Sequence, residues 1–323
     1  MSGPLMAQAA TAPLRLGTST PGGGFALYGE TLERVLNAHA GRALLQAVPT
    51  RGTAQNLELL ARGELDAALV QGTVAGELLA RIADGSASAG ERGLSVLHAM
   101  YPSPGMLAVP ATSSARRLED LRGRPVVWGV RASGLVTLAR QVFAALDLDI
   151  DRDFDPIYVD QAGQSPGLVA SGRAAGLWGA GEGWPGFEQV ARLPGGARFL
   201  APAPAQLPRI LARWPLLQAL DVPAGTYPGI TAPLPTVGSV NLILAPATLD
   251  GLRADAFVQA MAAAAPALRA ALPQAAYSTL ARTRAAAAAP RLLHPAVLRA
   301  LAAGSLRSDS LRKASAPGDR LSV

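Results

Sequence analysis

Cysteine is absent from all 323 residues. Its absence excludes thiol catalysis, a cysteine-based metal centre, disulfides and a lipid-anchored cysteine, and leaves the redox compartment undecided. Lysine occurs once, at Lys313, so the net charge of +6 comes almost wholly from arginine. The arginines are scattered through Arg15, Arg51, Arg81, Arg124 and Arg173, with no basic run interleaved with aromatics, which argues against nucleic acid as a partner. No stretch reaches the roughly 18 to 20 uninterrupted apolar residues that a membrane-crossing helix needs. Histidine is limited to His39, His98 and His294, none in a loop that could line a cleft, so neither a Ser/His/Asp triad nor a metal cluster has support. No catalytic residue, metal ligand or cofactor is expected.

Half of the residues are hydrophobic and 16% are charged, enough apolar surface for a substantial core. The length suits two lobes of roughly 100 to 200 residues each. Met1 to Pro13 stands apart. Its Ala7 to Ala12 segment (AQAATA) has the small residues of a signal-cleavage region without the charged and apolar segments that should precede it. It reads either as the remnant of a signal peptide or as an ordinary flexible N-terminus.

Short apolar strands then alternate with helical stripes, the pattern of a mostly parallel α/β chain. Strand Leu14–Gly17 runs through a glycine-rich turn into a helix from about Phe25 to His39. A strand around Ala43–Val48 leads to a helix over Ala54–Arg62 with Thr53 as expected N-cap, and a buried strand (Asp66–Gln71) precedes a third helix. Val96–Val109 holds strand segments expected to break at Tyr101-Pro102-Ser103-Pro104-Gly105. A second series follows with strand Pro125–Val130, helix Gly134–Leu146 and strands at Asp155–Val159 and Ala175–Trp178. After a proline-rich passage, Thr236–Ala245 reads as a buried strand returning to the first lobe, and Ala-rich helices run on to about Ala303. The expected division is residues 14–110 plus 237–303 as one lobe, 111–236 as the other, and 304–323 as a mobile tail. Crossings near Val109–Ser114 and Pro235–Ser239 make a hinge, which puts a ligand cleft where strand ends and helix starts converge.

The loops at those strand ends carry the candidate chemistry. Thr18, Ser19, Gly22, Gly23 and Phe25 occupy the first turn, where glycines let backbone N–H groups approach an anion at a helix start. The spacing fits neither a dinucleotide fingerprint nor a Walker loop. Arg51, Gly52, Thr53 and Asn56 offer a guanidinium fork, amides and a side-chain amide. Arg131, Ser133 and Gly134 repeat guanidinium and hydroxyl before another helix. Each of these also reads as an N-cap beside a surface arginine. Gln71 could orient a polar group, Tyr101 and Phe25 could form aromatic walls or simply pack in the core, and Glu182 with Trp184 could receive an ammonium or hydroxyl and cover the ligand.

Several motifs in order resemble the TAXI family of TRAP-transporter solute-binding proteins. They are LGTSTPGGGF at the first turn, Gly52-Thr53-Ala54-Gln55-Asn56, the helix-to-strand run Leu60 to Gln71, Tyr101-Pro102, and Ala224 to Gly229. The resemblance covers about Leu14 to Ala303. It implies a periplasmic-binding-protein type II-like fold, with two α/β lobes joined by a two-crossing hinge and the cleft between them. It also implies a periplasmic location, capture of a small organic anion (a carboxylate or amino acid), a TRAP-type membrane permease as partner, and no enzymatic activity; a monomer is expected. An enzyme on the same fold or a ligand-sensing domain are the alternatives. Departures at Ala26, Arg51, Arg131 and Glu182 keep the ligands of other members from being carried over.

Overall fold

The computed structural model describes residues 12–314, with side chains through residue 304. The possible signal remnant therefore lies almost wholly outside the described residues. The first lobe opens with parallel strands β1 (Leu14–Gly17), β2 (Leu45–Val48) and β3 (Ala67–Val70), joined by helices α1 (Gly24–Ala40) and α2 (Thr53–Ala61) and followed by α3 (Gly72–Asp84). Tyr28, Leu32, Val35 and Leu36 form the stripe that buries α1 against the sheet, and Gly41, in the left-handed conformation, ends it.

The segment expected to break at its prolines is instead one strand, β4 (Leu94–Pro110), buried almost throughout. Proline fits extended backbone and removes only a ladder donor. The pairing with β10 is irregular beside Pro102, where Met100 and Tyr101 of β4 stand opposite the single residue Asn241.

The second lobe repeats the plan with β5 (Pro125–Gly129), α4 (Gly134–Ala144), β6 (Asp155–Tyr158), α5 (Ser165–Ala170), β7 (Gly176–Ala180) and α6 (Pro185–Ala191). It closes with β8 (Ala197–Leu200), α7 (Leu207–Arg213) and β9 (Gln218–Val222). The return strand β10 (Leu234–Pro246) leads back to α8 (Gly251–Ala263), α9 (Ala265–Ala271), α10 (Leu280–Ala286) and α11 (Pro295–Ala314). Gly304 does not end α11: a single glycine costs about 1 kcal/mol in a helix, and good helix formers surround it. Residues 304–314, expected as a mobile tail, are therefore helical, while 315–323 lie outside the described residues.

The strand order β2-β1-β3-β10-β4-β7-β5-β6 reads alike from either end. Pairing is parallel inside each half and antiparallel where β4 and β10 join, so the sheet is mixed rather than mostly parallel. The passage between lobes falls earlier than the expected Val109–Ser114: Pro104 still pairs with Gly238 of β10, while Gly105 already pairs with Ala180 of β7. One apolar core surrounds the first lobe's strands and α8 to α11, and two smaller cores fill the second lobe.

Candidate functional site

The C-terminal ends of β1, β2 and β3 face those of β5, β6 and β7, and the helix starts that follow enclose a cavity of about 100 Å³. Ser19, Gly23, Phe25, Arg51, Gly52, Thr53, Gln71, Tyr101, Ser133, Gly134 and Trp184 line it, so most of the sequence-derived candidates meet in one place. Gly52, at φ +100°, takes a backbone conformation that residues with a side chain rarely adopt, which brings the α2 start against Ser133. A Cβ on Gly134 would fall on the Gln71 side chain, so α4 can enter this close only with glycine there.

Lining the cavity and taking part in binding are different things. The Ser19 hydroxyl accepts from Ala26 N at 3.0 Å and serves the first turn of α1. Gln71, expected to orient a ligand, is the N-cap of α3: its Oε1 accepts from Thr73 N and Val74 N while its Nε2 donates to Ser239 Oγ at 2.9 Å. Thr53 is not the N-cap of α2 but its first residue, and its hydroxyl accepts from Gln71 N at 3.0 Å.

Five expected site residues lie outside the lining. Thr18 is buried and donates its hydroxyl to Val48 O. Asn56 is fully buried; its Nδ2 serves the carbonyls of Gly17, Thr18 and Leu69, and its Oδ1 accepts from the Thr50 hydroxyl at 2.7 Å. Gly22 packs against Gly163 of the other lobe. Arg131 is turned outward, with its guanidinium carbon 3.7 Å from the Tyr158 ring centroid, within ion-pair reach of Asp151 and 66% exposed. Cation–π attraction and the carboxylate hold it there. Burial works to raise the Asp151 pKa, but hydrogen bonds from Arg140 and Tyr158 and the charges of Arg140 and Arg131 prevail, and it stays low. Glu182 faces Tyr277, whose hydroxyl is 3.5 Å away, and burial raises its carboxyl above the usual range.

Among the described residues, few polar groups at the cavity lack protein partners. Arg51 lines the cavity and its guanidinium makes no ion pair among the described residues. The hydroxyls of Ser133 and Ser165 are buried and unpartnered. Ser133 stands at the N-cap of α4 yet makes no capping bond, where a serine ordinarily accepts from the first turn. The first-turn amides of α1 and α4, at Gly24, Phe25, Gly134 and Leu135, have no intrahelical partner by construction of the helix. Tyr101 is 4% exposed, packs edge-on against Tyr28, and is held as a neutral phenol by burial. Histidine plays no part, since none of the three lines the cavity.

Sequence reasoning missed Ser165, Thr20, Ser103, Ala162 and the apolar wall of Val130, Leu135, Leu138 and Ala180. The Ser165-Pro166 step, a helix-start signal after a strand, is the sequence feature that points to Ser165. The lobes meet along the rim. Ala162 N donates to Thr20 Oγ1 at 3.1 Å, Gly163 N to Pro21 O at 3.1 Å, and Trp184 Nε1 to Gly22 O at 3.0 Å. Tyr227 braces this side by accepting from Trp184 N and donating to Gly181 O.

The chain is similar to a periplasmic transporter with a TM-score of 0.55 at 14% identity, over 81% of this chain and 86% of that one. A protein from Bordetella bronchiseptica RB50 gives a TM-score of 0.50 at 16% identity, over 91% and 90%. The alkanesulfonate-binding protein SsuA from Xanthomonas axonopodis pv. citri, bound to MOPS, gives 0.47 at 22% identity, over 85% and 84%. No curated protein matches the chain. At these identities the likeness is one of fold, the periplasmic-binding-protein type II fold, and it agrees with the mirrored strand order. Residues 16–302, nearly all of the described chain, match the NMT1-like family, and the chain belongs to that family.

Proposed function

We propose that this protein is the extracytoplasmic solute-binding subunit of a TRAP-type transporter of the TAXI kind, capturing a small organic anion between its lobes and delivering it to a membrane permease. One observation carries the reading: a cavity between the lobes lined from one side by Arg51, an exposed residue with no ion pair among the described residues, and from the other by Ser133 and Ser165, whose buried hydroxyls have no partner there. A ligand bridging these groups joins the lobes, so binding and closure are one event, and opening releases it. The rim hydrogen bonds from Ala162, Gly163 and Trp184 then hold the closed arrangement. The ordered motifs at the first turn, at Gly52 to Asn56 and at Ala224 to Gly229 support the TAXI assignment and the permease partner.

The lining offers no pair of groups arranged as nucleophile and base, which favours capture over chemistry. Native mass spectrometry of freshly purified protein, followed by thermal-shift measurement with a panel of organic anions, tests the reading. A retained or stabilising anion that is recovered unchanged supports it, because a ligand that prefers the folded state raises Tm by mass action. Conversion of the anion to product, or failure of every anion to bind, overturns it.

A further inference from the structure

The charges and walls of the cavity specify the ligand more narrowly. We propose that the site takes a singly charged oxyanion, carboxylate or sulfonate, on a short aliphatic chain, and rejects dicarboxylates and α-amino acids. The inference rests on the reading of the interlobe cavity as the solute site.

Among the described residues, Arg51, itself exposed, is the one cation that lines the cavity, and no aspartate or glutamate does. A second ligand carboxylate therefore has no counter-charge inside: Arg131, the other arginine at a helix start, lies over Tyr158 and is 66% exposed. A ligand ammonium has none either, because Glu182 is outside the lining and turned to Tyr277. An unpaired charge taken out of water weakens binding steeply, so each added charge counts against the ligand.

Groups that receive one oxyanion are in place. Besides Arg51, the unpartnered Ser133 and Ser165 hydroxyls are there, Ser165 being 0% exposed, and Tyr101 presents a neutral hydroxyl. The N-termini of α1 and α4, helices of 17 and 11 residues, converge on the same space. The remaining walls, Phe25, Val130, Leu135, Leu138, Ala180 and Trp184, are apolar and match an aliphatic tail rather than a polar one. Size agrees with a small ligand. A cavity of about 150 Å³ holds a benzene-sized molecule, and this one measures about 100 Å³.

Isothermal titration of the intact chain with a matched set tests the inference: isobutyrate, isopropylsulfonate, α-aminoisobutyrate and methylmalonate. The second exchanges the head group, the third adds an ammonium, and the fourth adds a carboxylate. Isobutyrate or isopropylsulfonate is expected to bind at least about 100-fold more tightly than the last two, and the tighter of the pair assigns the head group. Equal or tighter binding of α-aminoisobutyrate or methylmalonate overturns the ligand class while leaving the solute-binding reading in place. If none of the four binds, this inference falls, and the mass of any molecule retained by the purified protein decides whether the broader reading falls with it. Arg131→Ala is expected to leave the affinity for the monoanion unchanged. A loss of about 10-fold or more would restore a second cation to the site and overturn the charge argument.

Discussion

The two faces of the cavity are built differently. On the first-lobe side, the polar side chains that look most like ligand contacts are occupied: Asn56, behind the cavity wall, ties three carbonyls and the Thr50 hydroxyl together, and of the lining residues Gln71 caps α3 and Thr53 receives Gln71 N. On the second-lobe face, Ser133 and Ser165 are left without partners at similar depth. The difference separates polar groups that hold the loops in place from polar groups that are available to a solute. Arg51 and the Tyr101 hydroxyl are the exceptions on the first-lobe side, Arg51 being exposed and without an ion pair among the described residues.

The contrast can be broken by substitution. Asn56→Ala should have the largest effect, lowering stability by about 3 kcal/mol in urea unfolding, since it strands several buried backbone groups at once. Unchanged stability with lost binding would move Asn56 into the ligand site. Arg51→Ala should do the opposite, weakening anion binding by about 2 kcal/mol in titration calorimetry while leaving the unfolding midpoint unchanged. Ser165→Ala sharpens the comparison further. Affinity should fall by about 1 kcal/mol, and stability should hold or rise because an unpartnered buried hydroxyl is removed.

Trp184→Phe keeps a ring but loses the hydrogen bond to Gly22 O. It should cost the closed arrangement about 1 kcal/mol, read as faster ligand release in stopped flow. The smallest effect concerns Glu182. Burial raises its pKa in the folded state, partly offset by Tyr277, so the folded chain holds that proton more tightly than the unfolded one. Its stabilising contribution is therefore present at acid pH and lost as pH rises through the folded pKa. Glu182→Gln should accordingly melt about 1 °C above the unsubstituted protein near neutral pH, a small gain because solvent screens a half-exposed group. The gap should close as pH falls into the carboxylate range.

Much of this molecule was legible from local pattern. The strand-loop-helix units, the return of β10 to the first lobe and the meeting of helix starts all follow from apolar periodicity and turn chemistry, which act over a few residues. The exceptions were also local rules, outweighed by the fold around them. Pro102 and Pro104 read as a break, yet a buried strand with neighbours on both sides runs through them, its pairing irregular beside Pro102.

The sequence by itself determined the α/β plan, the two-crossing connection between lobes and the glycine at position 52, because each depends on backbone freedom or on side-chain spacing along one element. Only the tertiary structure decided which polar groups remain open to a ligand. Gln71 is occupied by Ser239, 168 residues away, and Arg131 is drawn off by Tyr158 and Asp151. Ser133 and Ser165 are left free because no donor or acceptor among the described residues reaches them. Whether a hydroxyl is open depends on every group packed around it, and those groups come from distant parts of the chain.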